Sequence, residues 1–376
     1  MSTGKKVLWV VIVVLVVWGL YGASKKPEMT GPIKIGFIAP LSGDAAAYGE
    51  PLKKGVEIAV LEINANGGVD GRPFEIIYED GKCNNKDASS AAQKLISIDK
   101  VKVIIGMVCS GEVLSAAPIA EAAKVVLIGQ GSSPDVTNAG DYTFRTFPSD
   151  TIVGTALTEN MKRNGHDTVA IVAGNTAYAL ALEKDFLSKT DGAGLVVVAS
   201  EHYNAETRDF RSILQKIKVA NPKAILIDSQ TGADGARIAQ QARTLGIKSQ
   251  FYTAYFSGPE FVKTGKAVEG TYVVDAPALG SENQRATEFL KKSQDTYKAE
   301  PTYPFFSANA YDQVYLLASV FGKVGTEDTS KIKAELYATK AFSGITGTFG
   351  FDQNGDVTGL GMRVMQIKDG SLVEVK

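Results

Sequence analysis

"PIKIGFIAPLSGDAAAYGEPLKKGVEIAVLEINANGGVDGRPFEIIYED" (residues 32–80) decides the fold, because a strand pattern, a helix pattern and a second strand pattern follow one another in it. Residues 32–43 are an apolar, β-branched run that ends in Pro-Leu-Ser-Gly, which is typical of a buried strand followed by a loop. Apolar residues then recur at helical spacing over residues 56–63, and Asn-Gly-Gly at 66–68 predicts the end of the helix. Residues 73–80 form the next strand pattern, so the stretch predicts a parallel strand–helix–strand unit.

The same alternation continues along the chain. It predicts further strands at residues 101–108 and 124–131, and it restarts after "FRTFPSD" with strands at 167–174, 195–203, 222–229 and 249–256. Helices are expected at 178–188, 209–219, 235–245 and 307–325, and hairpin strands at 349–357 and 363–370. The pattern predicts an α/β protein with two Rossmann-like lobes, each with a parallel sheet, joined near Pro148 by a multi-strand hinge.

The expected division of the chain has three parts. Residues 1–31 form an N-terminal membrane anchor or signal segment. The first lobe takes residues 32–150 and about 279–345, and the second lobe takes residues 151–278 and about 346–376.

Composition excludes several classes of function. The chain has 376 residues, of which 44% are hydrophobic and 22% charged, and its net charge of -1 gives no basis for nucleic-acid binding. It contains two histidines, His166 and His202, so a histidine-built metal site or catalytic triad is not expected. We expect no cofactor and no metal ion.

The N-terminus carries an export or anchoring signal. An apolar run at residues 7–23 lies between the lysine pairs 5–6 and 25–26, which is long enough for a slightly short membrane span. We expect a retained anchor, with a cleaved signal peptide as the alternative. Both place the remainder of the chain outside the cytosol, in the periplasm or on the outer face of the cell membrane.

The chain has two cysteines, Cys83 and Cys109. Each follows a predicted strand, and outside the cytosol a cysteine pair is usually oxidised. We expect a disulfide, which closes a loop of about 27 residues and contributes roughly 3–4 kcal/mol on the chain-entropy model. The alternative is a pair of reduced, buried cysteines.

A ligand site is expected in the cleft between the lobes, where the carboxyl ends of the strands meet. The residues that follow the strands are rich in Ser, Thr, Gly and Tyr and poor in charge; they are 42–48, 110–112, 130–133, 174–178, 229–231 and 252–255. Ser110, Ser132 and Ser133 follow neighbouring strands and together could hold a carboxylate at a helix N-terminus. The alternative is that these serines only cap helices.

Several motifs resemble one known family in the order in which they occur. They are residues 33–95, "VIIGMVCSGEVLSAAPIAE", "GSSPDVT", "YNAETRDFRSILQKIK", "SANAYDQVYLLASV" and "FSGITGTFGFDQNGDV". These resemble the leucine/isoleucine/valine-binding proteins, which are type I periplasmic solute-binding proteins of ABC importers. The resemblance covers residues 32–376 and implies two lobes that close on a ligand, and it also implies a disulfide between the cysteines.

The resemblance assigns roles to individual residues. Ser110 corresponds to the serine that holds the ligand carboxylate, and Ser132 stands where the family has a threonine that contacts the carboxylate or ammonium. The other implied ligand-binding residues are Gln130, Tyr48, Tyr178 and Tyr311.

Two positions depart from the family. Tyr255 stands where the amino-acid binders have a glutamate that pairs with the ammonium, and Thr231 stands where a tyrosine is expected. Asp228 and Glu112 are the acidic residues nearby in sequence that could substitute. A buried ammonium without a carboxylate partner is costly. The sequence therefore argues against branched-chain amino acids and favours amides, urea-like molecules, or aromatic and short carboxylates.

The expected function is an extracytoplasmic ligand-binding receptor of an ABC importer that captures an amino acid, an amide or a small carboxylate. Its expected partners are the small-molecule ligand, an ABC permease and the membrane through the N-terminal segment. One alternative is a membrane-tethered sensor with the same fold. An exported hydrolase is the other, but no GxSxG motif is present and neither histidine lies in a candidate loop, so we expect no enzyme activity.

Overall fold

The computed structural model describes residues 31–255, 258–276, 279–280 and 283–375. Residues 33–375 contain two lobes, each built on its own sheet. The predicted anchor or signal at residues 1–31, with its apolar run at 7–23, falls almost entirely outside the described residues. Among the residues that are described, no helix has the length and apolarity needed to cross a membrane.

The first sheet forms from the alternating pattern at the start of the chain. Its strands are all parallel, in the order β2-β1-β3-β4-β5, and all but the edge strand β2 are mostly buried. The strands are β1 (Ile33–Ala39), β2 (Phe74–Asp80), β3 (Val103–Gly106), β4 (Val126–Gly129) and β5 (Thr143–Arg145). The helices between them are α1 (Ala46–Ala65), α2 (Asn85–Ser97) and α3 (Ser110–Ala123), and a 3₁₀ turn covers Pro134–Asn138.

The second sheet has the strand order β15-β14-β10-β9-β8-β6-β7. β6 to β10 are parallel, whereas β14 and β15 add an antiparallel edge. The strands are β6 (Thr168–Gly174), β7 (Val196–Tyr203), β8 (Ala224–Asp228), β9 (Gln250–Ala254), β10 (Tyr272–Asp275), β14 (Arg363–Lys368) and β15 (Ser371–Glu374). The helices are α4 (Asp150–Arg163), α5 (Ala177–Ala193), α6 (Arg211–Ala220), α7 (Gly232–Thr244) and the short α8 (Pro259–Val262), with a 3₁₀ turn at Gly265–Ala267.

The chain returns to the first lobe after β10. It forms α9 (Gln284–Tyr297), α10 (Pro304–Val324), α11 (Thr329–Ala338) and a small antiparallel sheet of β11 (Phe342–Ser343), β12 (Thr348–Phe351) and β13 (Val357–Thr358). α10 packs against α1 at Gly55, where an added Cβ would lie 2.1 Å from the backbone oxygen of Ser307. The chain passes from the first sheet to the second after β5, leaves the second sheet after β10 and rejoins it at β14, so three segments connect the sheets as a multi-strand hinge.

The exact division of the chain between the lobes remains a prediction. The hydroxyl of Thr137, in the first lobe, donates a hydrogen bond to Asp356 at 2.7 Å, and Asp356 precedes β13 directly. β12 packs against α11, which also contacts β4 of the first sheet. We therefore propose that the last crossing lies between residues 358 and 363 and not at the expected position near 345.

Most predicted elements are present, and their ends differ by a few residues. The helix expected at 235–245 begins earlier, at Gly232, because the Thr231 hydroxyl accepts the Asp234 N–H and caps the helix. The strands expected at 349–357 and 363–370 belong to two separate hairpins, β12–β13 and β14–β15, because each strand pairs with the one that follows it.

The expected disulfide is confirmed. Cys83 and Cys109 are bonded, with their Cα atoms 5.4 Å apart. Cys83 lies in the loop after β2, and Cys109 directly precedes α3. The bond therefore ties two neighbouring strand ends of the first lobe together at the start of α3.

We expect the disulfide to stabilise the fold through the unfolded state. The double variant Cys83→Ser with Cys109→Ser should lower the free energy of unfolding by about 3–4 kcal/mol, because the loop it closes becomes free in the unfolded chain. Urea denaturation of the wild type and the double variant measures the difference. Equal free energies of unfolding for the two proteins would contradict this account.

Candidate ligand-binding site

A cavity of about 40 Å³ lies where the strand ends of the two sheets face each other. This volume holds roughly three water molecules, at about 10–15 Å³ for each. Six of the eight predicted ligand-binding residues line it, and they are Tyr48, Ser110, Gln130, Ser132, Tyr178 and Tyr255. The structure therefore brings together side chains that are separated by up to 207 positions in the chain.

Ser110 begins α3 and is buried. Its hydroxyl oxygen accepts a hydrogen bond from the Ser133 N–H at 3.1 Å, so the hydroxyl hydrogen is left for another acceptor. The N-cap residue of α3 is Cys109, so the expectation that Ser110 is the N-cap is wrong by one position. Ser133 does have a capping role, because its hydroxyl accepts the Asp135 N–H at the start of the 3₁₀ turn.

The loop after β4 approaches the start of α3 closely. An added Cβ at Gly131 would lie 2.9 Å from the Ser110 Cα, so glycine is the residue that permits this approach. Positively charged Arg145, at the end of β5, donates hydrogen bonds to the backbone oxygens of Ser132 at 3.0 Å and Ser133 at 2.8 Å. Arg145 also forms an ion pair with Asp356 at 2.6 Å. The loop that carries Ser132 is therefore held by a buried guanidinium.

Asp150 is a buried acidic residue that contacts two side chains of the cavity wall, and the sequence did not identify it. Its N–H donates to the Ser132 backbone oxygen at 2.9 Å, and its carboxylate accepts the Ser132 hydroxyl at 2.9 Å and the Tyr255 hydroxyl at 2.6 Å. Asp150 begins α4 in the second lobe, directly after the first crossing. It therefore joins the strand-end loops of both lobes.

Burial raises the pKa of Asp150 to about 6, against the opposing effect of its two hydroxyl hydrogen bonds and the nearby Arg145. The Asp185 carboxylate adds a smaller upward contribution. Asp150 is therefore mainly ionised at neutral pH, although it lies in a fully buried position.

Tyr255 has a left-handed backbone, with φ of 62°. This conformation costs about 1–2 kcal/mol for a residue with a Cβ. It places the ring against Phe147, with ring centroids 5.4 Å apart, and the hydroxyl against Asp150. Strain of this kind is common where a side chain must be aimed at a functional site.

Aromatic rings form the other walls of the cavity. Phe147 and Phe306, neither of which the sequence singled out, are stacked with centroids 4.9 Å apart. Tyr48 stacks on Tyr303 at 4.5 Å, and its hydroxyl oxygen accepts the N–H of Gly232 in the second lobe at 3.1 Å. The cavity is thus apolar on its sides and polar at the strand ends.

Two predicted residues do not line the cavity. Thr231 caps α7 and lies in a separate depression at the rim of the cleft, with Asp44 and Arg208. Tyr311 lies on the face of α10 that packs toward α1, where its hydroxyl donates to Glu62 at 2.6 Å.

The two acidic residues that could have replaced the family glutamate have other surroundings. Glu112 accepts the N–H groups of Cys83 and Cys109, and burial raises its pKa to about 8, so it supports the disulfide loop as a mainly neutral carboxyl group. Asp228 ends β8, and its pKa is raised well above the usual range by burial and by the charges of Asp150 and Glu183.

Metal binding has no support in the part of the chain that the structure describes, since no group of three or more His, Cys, Asp or Glu side chains there could hold an ion.

The raised pKa of Asp150 predicts a pH-dependent contribution to stability. The folded protein binds this proton more tightly than the unfolded chain, so ionisation of Asp150 lowers stability as the pH rises from about 4 to above 6. Relative to the wild type, the solute-free variant Asp150→Asn should gain about 2–3 kcal/mol in free energy of unfolding between pH 4 and pH 7. Denaturation curves at both pH values measure this gain. A constant difference between the two proteins would show that Asp150 keeps an ordinary pKa.

Known proteins are similar to this chain in sequence and in fold. A leucine-, isoleucine-, valine-, threonine- and alanine-binding protein of Pseudomonas aeruginosa is 29% identical over 357 residues, which cover 92% of each chain. The structure of the leucine-binding protein LivK of Thermotoga maritima matches with a TM-score of 0.84 at 28% identity, over 92% of this chain and 98% of that one.

A second solved structure is the branched-chain amino acid transporter substrate-binding protein LivJ of Streptococcus pneumoniae in complex with isoleucine. It matches with a TM-score of 0.81 at 30% identity, over 92% of this chain and 100% of that one. The family model described as periplasmic binding protein matches residues 32–371. Because that match covers nearly the whole chain, this protein belongs to the periplasmic binding protein family.

Proposed function

We propose that the protein is the extracytoplasmic receptor of an ABC importer and that it captures a small polar solute between its lobes. The solute is an amino acid, an amide or a small carboxylate. The observation that carries this proposal is the cavity at the facing strand ends, which is walled by aromatic rings and has hydroxyl groups from both lobes. Relatives named for leucine, isoleucine, valine, threonine and alanine binding support it.

Contacts across the cleft indicate how capture works. Asp44 of the first lobe pairs with Arg208 of the second at 2.9 Å, and Tyr48 accepts the Gly232 N–H. A solute can contact Ser110 in one lobe and Tyr255 in the other at the same time only when the two lobes are close together. Binding therefore shifts the lobes toward the closed arrangement.

The proposal includes no chemical reaction. Ser110 has a backbone N–H as its hydrogen-bond partner, and neither histidine lines the cavity, so the cavity lacks a paired nucleophile and base. Delivery to an ABC permease and attachment to the membrane through the apolar segment at residues 7–23 complete the proposal. The alternative of a membrane-tethered sensor has no separate observation in its favour.

The Ser110 hydroxyl should be needed for affinity but not for folding. We expect Ser110→Ala to weaken binding of a solute carboxylate at least about tenfold, since one hydrogen bond to a charged group is lost. The melting temperature should stay within a few degrees. Isothermal titration with L-alanine and L-leucine measures affinity.

A matched control for this variant is Ser115→Ala. Ser115 lies one turn further along α3, and its hydroxyl donates to the Glu112 backbone oxygen, away from the cavity. It should bind like the wild type. Equal affinities for the two variants would remove Ser110 from the site.

Closure should also be visible in solution. Small-angle X-ray scattering should show a smaller radius of gyration when a solute binds, because the two lobes then rotate toward each other about the hinge. Superimposable scattering curves with and without a solute that titrates to saturation would rule out hinge closure as the capture mechanism.

A further inference from the structure

Two tyrosines of the first lobe reach across the cleft to the second lobe. Tyr48, from α1, lines the cavity, and its hydroxyl oxygen accepts the N–H of Gly232 at the start of α7, at 3.1 Å. Tyr303, directly before α10, donates its hydroxyl hydrogen to the carboxylate of Glu260 in α8. Each of these hydrogen bonds joins the two lobes, so both break when the lobes separate.

The two tyrosines are coupled because their rings are stacked. The ring centroids of Tyr48 and Tyr303 are 4.5 Å apart, and the ring planes differ by 29°. Phe306, another ring of the cavity wall, lies edge-on to Tyr48 at 6.2 Å and to Tyr303 at 5.9 Å. Tyr303 is 1% exposed and does not line the cavity. The bond between Tyr303 and Glu260 therefore positions a wall of the cavity from outside it.

Two glycines of the second lobe make room for this contact. An added Cβ at Gly258 would lie 2.5 Å from the Tyr303 Cζ, and one at Gly232 would lie 2.8 Å from a carboxylate oxygen of Glu260. The backbone of Gly258 is extended, with φ of -72° and ψ of 155°, which any residue can adopt. Glycine is therefore needed at position 258 for space, and the space is occupied by a side chain of the other lobe.

The bond of Tyr303 differs from the ion pair at the rim of the cleft. The side chains of Asp44 and Arg208 are 48% and 49% exposed, so water screens their attraction. The Tyr303 hydroxyl is buried and its acceptor is a carboxylate, and a hydrogen bond to a charged group is stronger than one between neutral groups. Of these two contacts between the lobes, the bond of Tyr303 is the one expected to contribute more to closure.

We propose that Tyr303 and Glu260, with the space left by Gly258, form a clasp that sets the affinity for solutes without touching them. This rests on the proposed function and deepens it. A contact that exists only in the closed arrangement favours closure by the same free energy for every solute. Tyr303 and Glu260 are therefore positioning residues, which change the affinity for all solutes by one factor and leave the preference between solutes unchanged.

The first test measures two solutes with one variant. Tyr303→Phe keeps the ring and removes the hydroxyl, and isothermal titration of the full chain should show L-alanine and L-leucine each bound about tenfold more weakly. The matched control is Tyr297→Phe. The Tyr297 hydroxyl also donates to a glutamate, Glu57, at 2.6 Å, but α9 and α1 both belong to the first lobe. The control should bind both amino acids like the wild type.

A double-mutant cycle tests whether the two residues act together. Glu260→Ala should weaken binding of both solutes to the same extent as Tyr303→Phe, and the double variant should lose no more than either single variant, because all three remove the same bond. Glu260→Gln keeps an acceptor oxygen without the charge, and it should recover part of the affinity. Losses that multiply in the double variant would show that the residues act separately, which overturns the clasp.

A second measurement needs no solute. Cysteines introduced as Asp44→Cys and Arg208→Cys lie on opposite lobes at a point of contact, so the rate at which o-phenylene bismaleimide joins them follows the population of the closed arrangement. Tyr303→Phe should slow this reaction several-fold, and Tyr297→Phe should not. Gly258→Ala should slow it as well, because the added methyl group meets Tyr303 when the lobes are together.

The inference is overturned if Tyr303→Phe leaves the rate of cross-linking unchanged, or if it alters the preference between L-alanine and L-leucine. Gly258→Ala decides in the same way should Tyr303→Phe not fold. If neither amino acid binds to the wild type but the clasp variants slow the cross-linking, the proposed capture of these solutes fails while the clasp is supported.

Discussion

The buried carboxylate of Asp150 joins the two lobes at the cleft through its hydrogen bonds. It lies directly after the first crossing between the lobes, and it accepts hydrogen bonds from Ser132 in the first lobe and Tyr255 in the second. An ionised group in a fully buried position is unfavourable unless it is hydrogen-bonded and balanced. Two hydroxyl donors meet the first condition, and the nearby guanidinium of Arg145 contributes to the second.

Contacts in both lobes position the two residues, Ser132 and Tyr255, that donate hydrogen bonds to Asp150. In the first lobe, Arg145 fixes the backbone of the Ser132 loop, and Asp356 pairs with Arg145. The disulfide fixes the start of α3 beside it. In the second lobe, the left-handed backbone of Tyr255 turns its ring toward the cavity. Contacts from distant parts of the chain therefore converge on a cavity of small volume.

Much of the fold and of the site could be predicted because strand ends are easy to find in sequence. The alternation of strand and helix patterns gave both sheets, and residues that follow the strands, such as Ser110 and Tyr255, line the cavity as expected. Tyr311 could not be placed in this way. It lies within α10, which is buried on most sides, so periodicity does not distinguish the face toward α1 from the face toward the sheet.

Asp150 could not be predicted for a different reason. It lies in the hinge segment "FRTFPSD", which has neither strand nor helix periodicity and indicates only where one lobe ends. The direction of the Ser132 and Tyr255 hydroxyl hydrogens is also invisible in sequence, because it depends on a carboxylate brought close by folding.

The most direct test of the central claim is a crystal structure of the protein with L-alanine. The account predicts the solute in the cavity between the lobes, with its carboxylate at Ser110 and with contacts to Tyr255 of the second lobe. A solute bound outside this cavity, or to one lobe only, would contradict it.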